Sequence, residues 1–140
     1  MVVSIQPRVV ASEFSVWSAL SHLGAERARW FFPLKSLVDA GVVVAAGSDC
    51  PMQPLNPLLG IQEAVTNEAF PQERVSVEDA LQMYTVNAAW ASGQENVKGS
   101  IESGKLADFT VLSDDPQVVD SSKIHEIKVE MSVVGGRMVL

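Results

Sequence analysis

The sequence predicts an α/β fold that gives way to a small all-β segment, and three observations predict it. An apolar, β-branched run, Val42-Val43-Val44-Ala45-Ala46, is bounded by Gly41 and Gly47 and reads as a strand buried on both faces, as in parallel sheets. A short strand, Val2-Val3-Ser4-Ile5, precedes it with a well-punctuated helix between, which is the order of a parallel βαβ unit. From about Asn96 helical periodicity stops, and short β-like runs separated by turn residues take over.

The elements follow in order. Gln6-Pro7 ends the first strand, because proline cannot donate to a central ladder. That strand has no upstream partner, so its neighbours are expected earlier in a longer chain or in another chain. A loop with Phe14 and Trp17 comes next, then a helical turn or two over Ala25–Phe32. Pro33 suits a helix start and Gly41 the residue past its end, with Leu34, Leu37 and Val38 on one face. After the second strand, Asn56 and Pro57 open a helix to about Asn67 with Leu58, Ile61 and Val65 on one face. Ser76 and Asp79 form a capping box, and the helix they open carries Ala80, Leu81, Tyr84 and Ala88 on its apolar stripe and ends at Gly93. Gly99-Ser100-Ile101 and Asp108–Leu112 read as strands, and Glu126–Val134 pairs with Arg137–Leu140 across Gly135-Gly136 as a hairpin. A boundary is expected near residue 95, between an α/β part (1–95) and an all-β part (96–140).

Composition narrows the function. The chain is 140 residues, 47% hydrophobic and 19% charged, which is globular. Its net charge of −7 argues against nucleic-acid and anionic-membrane partners, which carry the same sign. No stretch approaches the ~20 apolar residues that span a bilayer. A single cysteine, Cys50, excludes an internal disulfide and a CxxC metal pair and suits a reducing cytoplasm.

One position stands out chemically. Asp49 lies just past the C-terminal end of the buried strand, where parallel α/β architectures build their sites. A carboxylate there ligates a metal or acts as a general base, although Asp also caps turns such as Asp49-Cys50-Pro51 for purely local reasons. Gly47 admits close backbone approach, Ser48 is placed to orient the carboxylate or to bind substrate, and Gln6 ends the neighbouring strand either as a substrate contact or as a cap of the strand end. Cys50 lacks a nearby base and reads as a small lining residue. Arg27 and Arg29 read as solvated or helix-paired, Glu63 and Glu68 as solvated helix positions, and Trp17, Trp30, Phe31 and Phe32 as core or buried loop contacts.

Four motifs in this order carry a family resemblance. Ser4-Ile5-Gln6-Pro7 with Leu23-Gly24-Ala25-Glu26-Arg27-Ala28 is the first. Leu37-Val38-Asp39-Ala40-Gly41 leading to Gly47-Ser48-Asp49-Cys50-Pro51 is the second. Ala80–Ala89 is the third, and Gly99–Phe109 with the closing Val134-Gly135-Gly136-Arg137 is the fourth. Together they resemble the amidohydrolase superfamily, in particular amidohydrolase family 3, with its N-substituted formamide deformylases and imidazolonepropionase-like hydrolases.

The resemblance implies a partial (β/α)8 (TIM) barrel: the last two βα units, followed by the C-terminal share of a small β-sandwich. It implies a metal-dependent hydrolase acting on non-peptide amide or cyclic amide bonds. Asp49 matches the strand-eight aspartate that binds the metal or takes a proton from its water. A divalent metal, zinc by expectation, belongs to the complete enzyme. This chain alone is expected to hold none tightly and to be inactive, because the family's other ligands lie on strands it does not encode. Its two histidines, His22 and His125, read as surface residues without ligand spacing to Asp49. The expected partners are an amide substrate and either the missing N-terminal barrel segment or a second copy. The competing reading is a non-catalytic regulatory or binding module that dimerises through exposed barrel edges.

Overall fold

The structure, a computed structural model, describes residues 1–10, 21–24 and 26–140. Phe14 and Trp17 lie outside the described residues. Strands β1 (Val2–Ile5) and β2 (Val43–Ala46) pair in parallel, with Val2 opposite Val43 and Ile5 opposite Ala46. Consecutive residues of a strand face opposite sides, so the burial of both Val44 and Ala45 shows that β2 is covered on both faces. The connection between the strands begins with a one-turn helix α1 (Pro7–Val10), where a loop is expected from sequence. Pro7, which stops the strand, also sits at a helix start, where its missing N–H costs nothing. Residues 21–24 and 26–28 are helical, and helix α2 (Leu34–Asp39) leads through Gly41, at φ 71°, into β2.

The aromatics at the entry to α2 depart from expectation. Backbone bonds from Trp30 to Arg27 and from Phe31 to Ala28 close a tight turn that leaves Trp30 and Phe31 exposed. Only Phe32 turns inward against the core.

Helix α3 (Pro57–Thr66) starts as the sequence indicates, with the Asn56 side chain accepting from the Leu58 N–H at 3.0 Å. Helix α4 (Val77–Tyr84) opens on the complete Ser76–Asp79 capping box. The single helix expected from Ser76 to Gly93 is broken. Thr85 adopts φ −124°, ψ −92°, and its hydroxyl donates to the Leu81 carbonyl at 2.7 Å, so α5 (Val86–Ala91) begins afresh. A threonine hydroxyl that competes for an i−4 carbonyl is a known source of such disruption.

Strands β3 (Phe109–Leu112), β4 (Val129–Val134) and β5 (Arg137–Met138) form an antiparallel sheet in that order. Gly135 and Gly136, at φ 56° and 77°, make the tight turn of the β4–β5 hairpin. The strand expected at Gly99-Ser100-Ile101 is absent. Gly99 sits at φ 99° with its α-carbon so close to Ala89 that an added Cβ would stand 2.6 Å from the Ala89 methyl, and no extended ladder accommodates that conformation. A 3-10 turn, Ser121–Glu126, delivers Ile124 to a core shared with Val44, Leu58, Ile61 and Met83. Gln62 of α3 pins that turn, its amide oxygen receiving the His125 backbone N–H at 3.0 Å. Among the described residues no helix is long and apolar enough to cross a membrane.

Candidate catalytic strand end

Because β1 and β2 run parallel, their C-terminal ends open on the same side of the sheet. The ladder reaches one residue further, with the Gly47 N–H donating to the Ile5 carbonyl at 3.0 Å. Beyond it the chain turns sharply. Asp49 holds φ 65°, alone among the described non-glycine residues in the left-handed region. Asp tolerates that region better than most residues because its side chain is short and polar, yet the conformation is still strained. The turn is closed by the Met52 N–H on the Asp49 carbonyl at 2.8 Å and by the Cys50 N–H on Ser48 Oγ at 3.2 Å.

These bonds fix the roles of neighbouring groups. Ser48 Oγ is engaged by the backbone of its own turn. The Asp49 residue is exposed, and its carboxylate has no hydrogen-bond partner among the described residues. Gln6 follows Ile5 at the adjacent strand end, half-buried, with its carbonyl accepting from the Val9 N–H at 3.0 Å. Parallel pairing thus brings Gln6 and the Gly47–Asp49 turn to one end of the sheet.

Two side chains behind the turn belong to the site although the sequence reading does not assign them to it. Asn87 Nδ2 donates to the Val44 carbonyl at 2.9 Å, and Tyr84 Oη donates to the Gly47 carbonyl at 3.5 Å. Burial pushes the Tyr84 hydroxyl up to about 12, so it remains a protonated donor through the neutral range. Tyr84 reaches its place across Gly60, where an added Cβ would stand 1.8 Å from the hydroxyl oxygen. A glycine inside a helical pattern was the one available hint of that close approach.

The other candidates are dispersed. Glu63 is not solvated as expected: its side chain is 18% exposed and pairs with Arg8 at 3.5 Å. Burial raises its carboxyl above the ordinary range, Arg8 opposes the rise, and Glu68 adds to it. Arg27 and Arg29 are exposed, with Arg29 stacked over Trp30 at 4.8 Å. Cys50, His22 and His125 are exposed. Among the described residues no three His, Cys, Asp or Glu side chains converge as a metal shell, so Asp49 offers a divalent ion one hard oxygen donor and not a complete site.

Comparison with known proteins gives this strand end a context. The model of the family described as "Amidohydrolase family" matches residues 1–140. YtcJ of Bacillus subtilis is 35% identical over 96% of this chain and 27% of its own length. The N-substituted formamide deformylase of Arthrobacter pascens is 39% identical over 75% of this chain and 20% of its own. An uncharacterized metal-dependent hydrolase from Pyrococcus furiosus superposes with a TM-score of 0.74 at 32% identity, over 84% of this chain and 24% of that one. The chain therefore spans about a quarter of the length of the relatives it matches.

Proposed function

The chain belongs to the amidohydrolase family, and from that premise we propose that it supplies the Asp49 corner of a metal-dependent hydrolase acting on non-peptide amide or cyclic amide bonds. The observation that carries this reading is Asp49 itself, an exposed carboxylate with no partner among the described residues, held in a strained left-handed turn at the C-terminal end of a buried parallel strand. Residues held in sparsely populated backbone regions cluster at active sites, which supports this reading. In this reading residues 1–95 are the last two βα units of a (β/α)8 barrel, and residues 96–140 are the C-terminal share of a β-sandwich.

The step assigned to this chain is proton handling. Water adds to the carbonyl carbon, and Asp49 takes the proton that water releases. The carbon–nitrogen bond then breaks, the nitrogen leaves with that proton, and the carboxylate is regenerated. Gln6, at the adjoining strand end, contacts the substrate, as does Ser48 through its backbone turn. A divalent metal, zinc by expectation, would take Asp49 as one donor and its remaining ligands from elsewhere in the complete barrel, and would supply an activated water. A single carboxylate does not complete the three or four ligands that such a site needs, so this chain alone is inactive.

The test is a graft. Residues 1–140 replace the matching segment of the Arthrobacter pascens N-substituted formamide deformylase, and deformylation is measured with and without Asp49→Asn. The reading expects an active graft that loses at least about a hundredfold in kcat on substitution. An active graft indifferent to Asp49→Asn sinks it. Hydrolysis of formamides by the isolated, metal-loaded chain would overturn the inactivity of the chain alone.

A second reading is supported by Met52 and Leu55, 78% and 72% exposed beside the Asp49 turn. Such side chains fit a non-catalytic module whose barrel edges are covered by a second copy. A compact dimer on size exclusion, together with an inactive graft, favours it.

A further inference from the structure

We infer that Tyr84 and Asn87 are positioning residues for Asp49: together they brace strand β2 from the helical layer and hold its end in the left-handed turn. The inference rests on the reading of Asp49 as the reactive carboxylate, and it concerns two side chains that touch the backbone of β2.

The Gly47 N–H donates to Ile5, so Gly47 faces β1, and by strand alternation the peptide groups of Val44 face away from it. Val44 is 1% exposed, and a buried carbonyl without a partner costs free energy. Asn87 Nδ2 satisfies it at 2.9 Å. Three residues further along β2, Tyr84 Oη reaches the Gly47 carbonyl at 3.5 Å, a longer contact, placed two residues before Asp49. The brace therefore has one firm bond within the strand and one contact at the outer limit of hydrogen-bond length beyond its end.

The helical layer is arranged to deliver both groups. Tyr84 is the last residue of α4 and Asn87 the second of α5, and both helices pack on β2. The break at Thr85 falls between them, so one group comes from the end of a helix and the other from the start of the next. Gly60 opens the slot through which the Tyr84 hydroxyl passes. The slot directs the hydroxyl onto the Gly47–Ser48 peptide, one peptide before the one that enters the left-handed Asp49.

The test uses the full chain and nuclear magnetic resonance. In the native chain a left-handed Asp49 gives a strong intraresidue amide-to-α-proton Overhauser peak, and the Asn87 side-chain amide shows through-hydrogen-bond coupling to the Val44 carbonyl. Tyr84→Phe and Asn87→Ala, each measured well below its unfolding temperature, are expected to lose the strong Asp49 peak while the amide spectrum away from the turn keeps its folded dispersion. A merely structural role lowers the unfolding temperature and leaves the Asp49 peak intact, and that result overturns the inference. Should either variant fail to fold, the native coupling decides: its absence overturns the brace, and its presence with a left-handed Asp49 supports it. Manganese(II) added to the native chain separates this from the parent reading. Line broadening centred on Asp49 supports the metal-facing carboxylate. No broadening there overturns that carboxylate, and with it the purpose of the brace, even where the Asp49 peak depends on Tyr84.

Discussion

The carboxylate of Glu73 receives two hydrogen bonds from Ser36, the backbone N–H at 2.9 Å and the hydroxyl at 2.7 Å. Ser36 lies in the first turn of α2, whose N-cap residue, Pro33, makes no side-chain capping bond. The orphan donor at that helix start is therefore satisfied by a buried side chain 37 residues away in sequence. Glu73→Ala removes both bonds and leaves a half-buried donor open. A loss of about 2–3 kcal/mol is expected, read as a lower urea midpoint at unchanged slope.

Gly60→Ala is expected to destabilise the chain although alanine is the better helix former by about 1 kcal/mol. The added methyl would collide with the Tyr84 hydroxyl, and overpacking of that kind costs about 1–3 kcal/mol. Thermal unfolding of Gly60→Ala, Tyr84→Phe and the double variant checks this. The double variant should lose less than the sum of the single ones, because the two share one clash.

Tyr84 is the chain's single tyrosine, so ultraviolet titration of phenolate reads it directly. Burial pushes its hydroxyl up to about 12, above the ordinary value of 10.0. A raised value in the folded state means that its contribution to stability is complete below the unfolded value and is lost as pH rises through the folded one. The chain should resist alkali up to that window and unfold as phenolate appears. A midpoint at the ordinary tyrosine value would contradict the burial.

Glu63 should leave a slope of the same sign in a lower window. Burial raises its carboxyl, with Arg8 opposing, so its contribution is complete below the unfolded carboxylate value and falls as pH climbs through the raised one. Urea unfolding across the mildly acidic range should show stability declining with pH from this group, and Glu63→Gln should flatten that decline. An unaltered profile in the variant would contradict it.

Asp49→Gly should leave stability unchanged or raise it by up to about 1 kcal/mol, since glycine adopts the left-handed region without strain. Asp49→Val should lose about 1–2 kcal/mol, because a β-branched side chain suits that region least. Calorimetry of both variants decides, and equal unfolding temperatures would mean that the turn carries no strain.

Much of the architecture was legible because local patterns coincide with tertiary demands. The run Val42–Ala46 with its flanking glycines gave β2, and the Ser76–Asp79 box and the Asn56-Pro57 start gave the helix openings. Contacts between distant segments were not legible. Nothing near Glu73 in sequence announces Ser36, and nothing near Asn87 announces Val44. Glu63 read as solvated because its helix position is ordinary, and only the fold places Arg8 over it. The break at Thr85 leaves no mark in the pattern, because the apolar stripe continues across it and the hydroxyl bond to Leu81 is a choice of rotamer. Gly99 suits a strand by its sequence neighbours, whereas its neighbour in space, Ala89, leaves no room for a Cβ there. For the candidate site, the position of Asp49 at a strand end followed from pattern alone, whereas its backbone conformation and the side chains behind it required the three-dimensional structure.

The flush register of β1 and β2, Ile5 opposite Ala46, implies an uneven tolerance to changes in chain length. One residue added or removed between Gly41 and Val44 would turn each following side chain of the strand to the opposite face and carry the Asp49 turn along by about 3.3 Å. The stretch from Met52 to Leu55 lies outside any helix or strand and is largely exposed, so it can lengthen or shorten without that penalty. Natural variants of this chain should therefore collect insertions and deletions after Asp49 and almost none in the five residues before it.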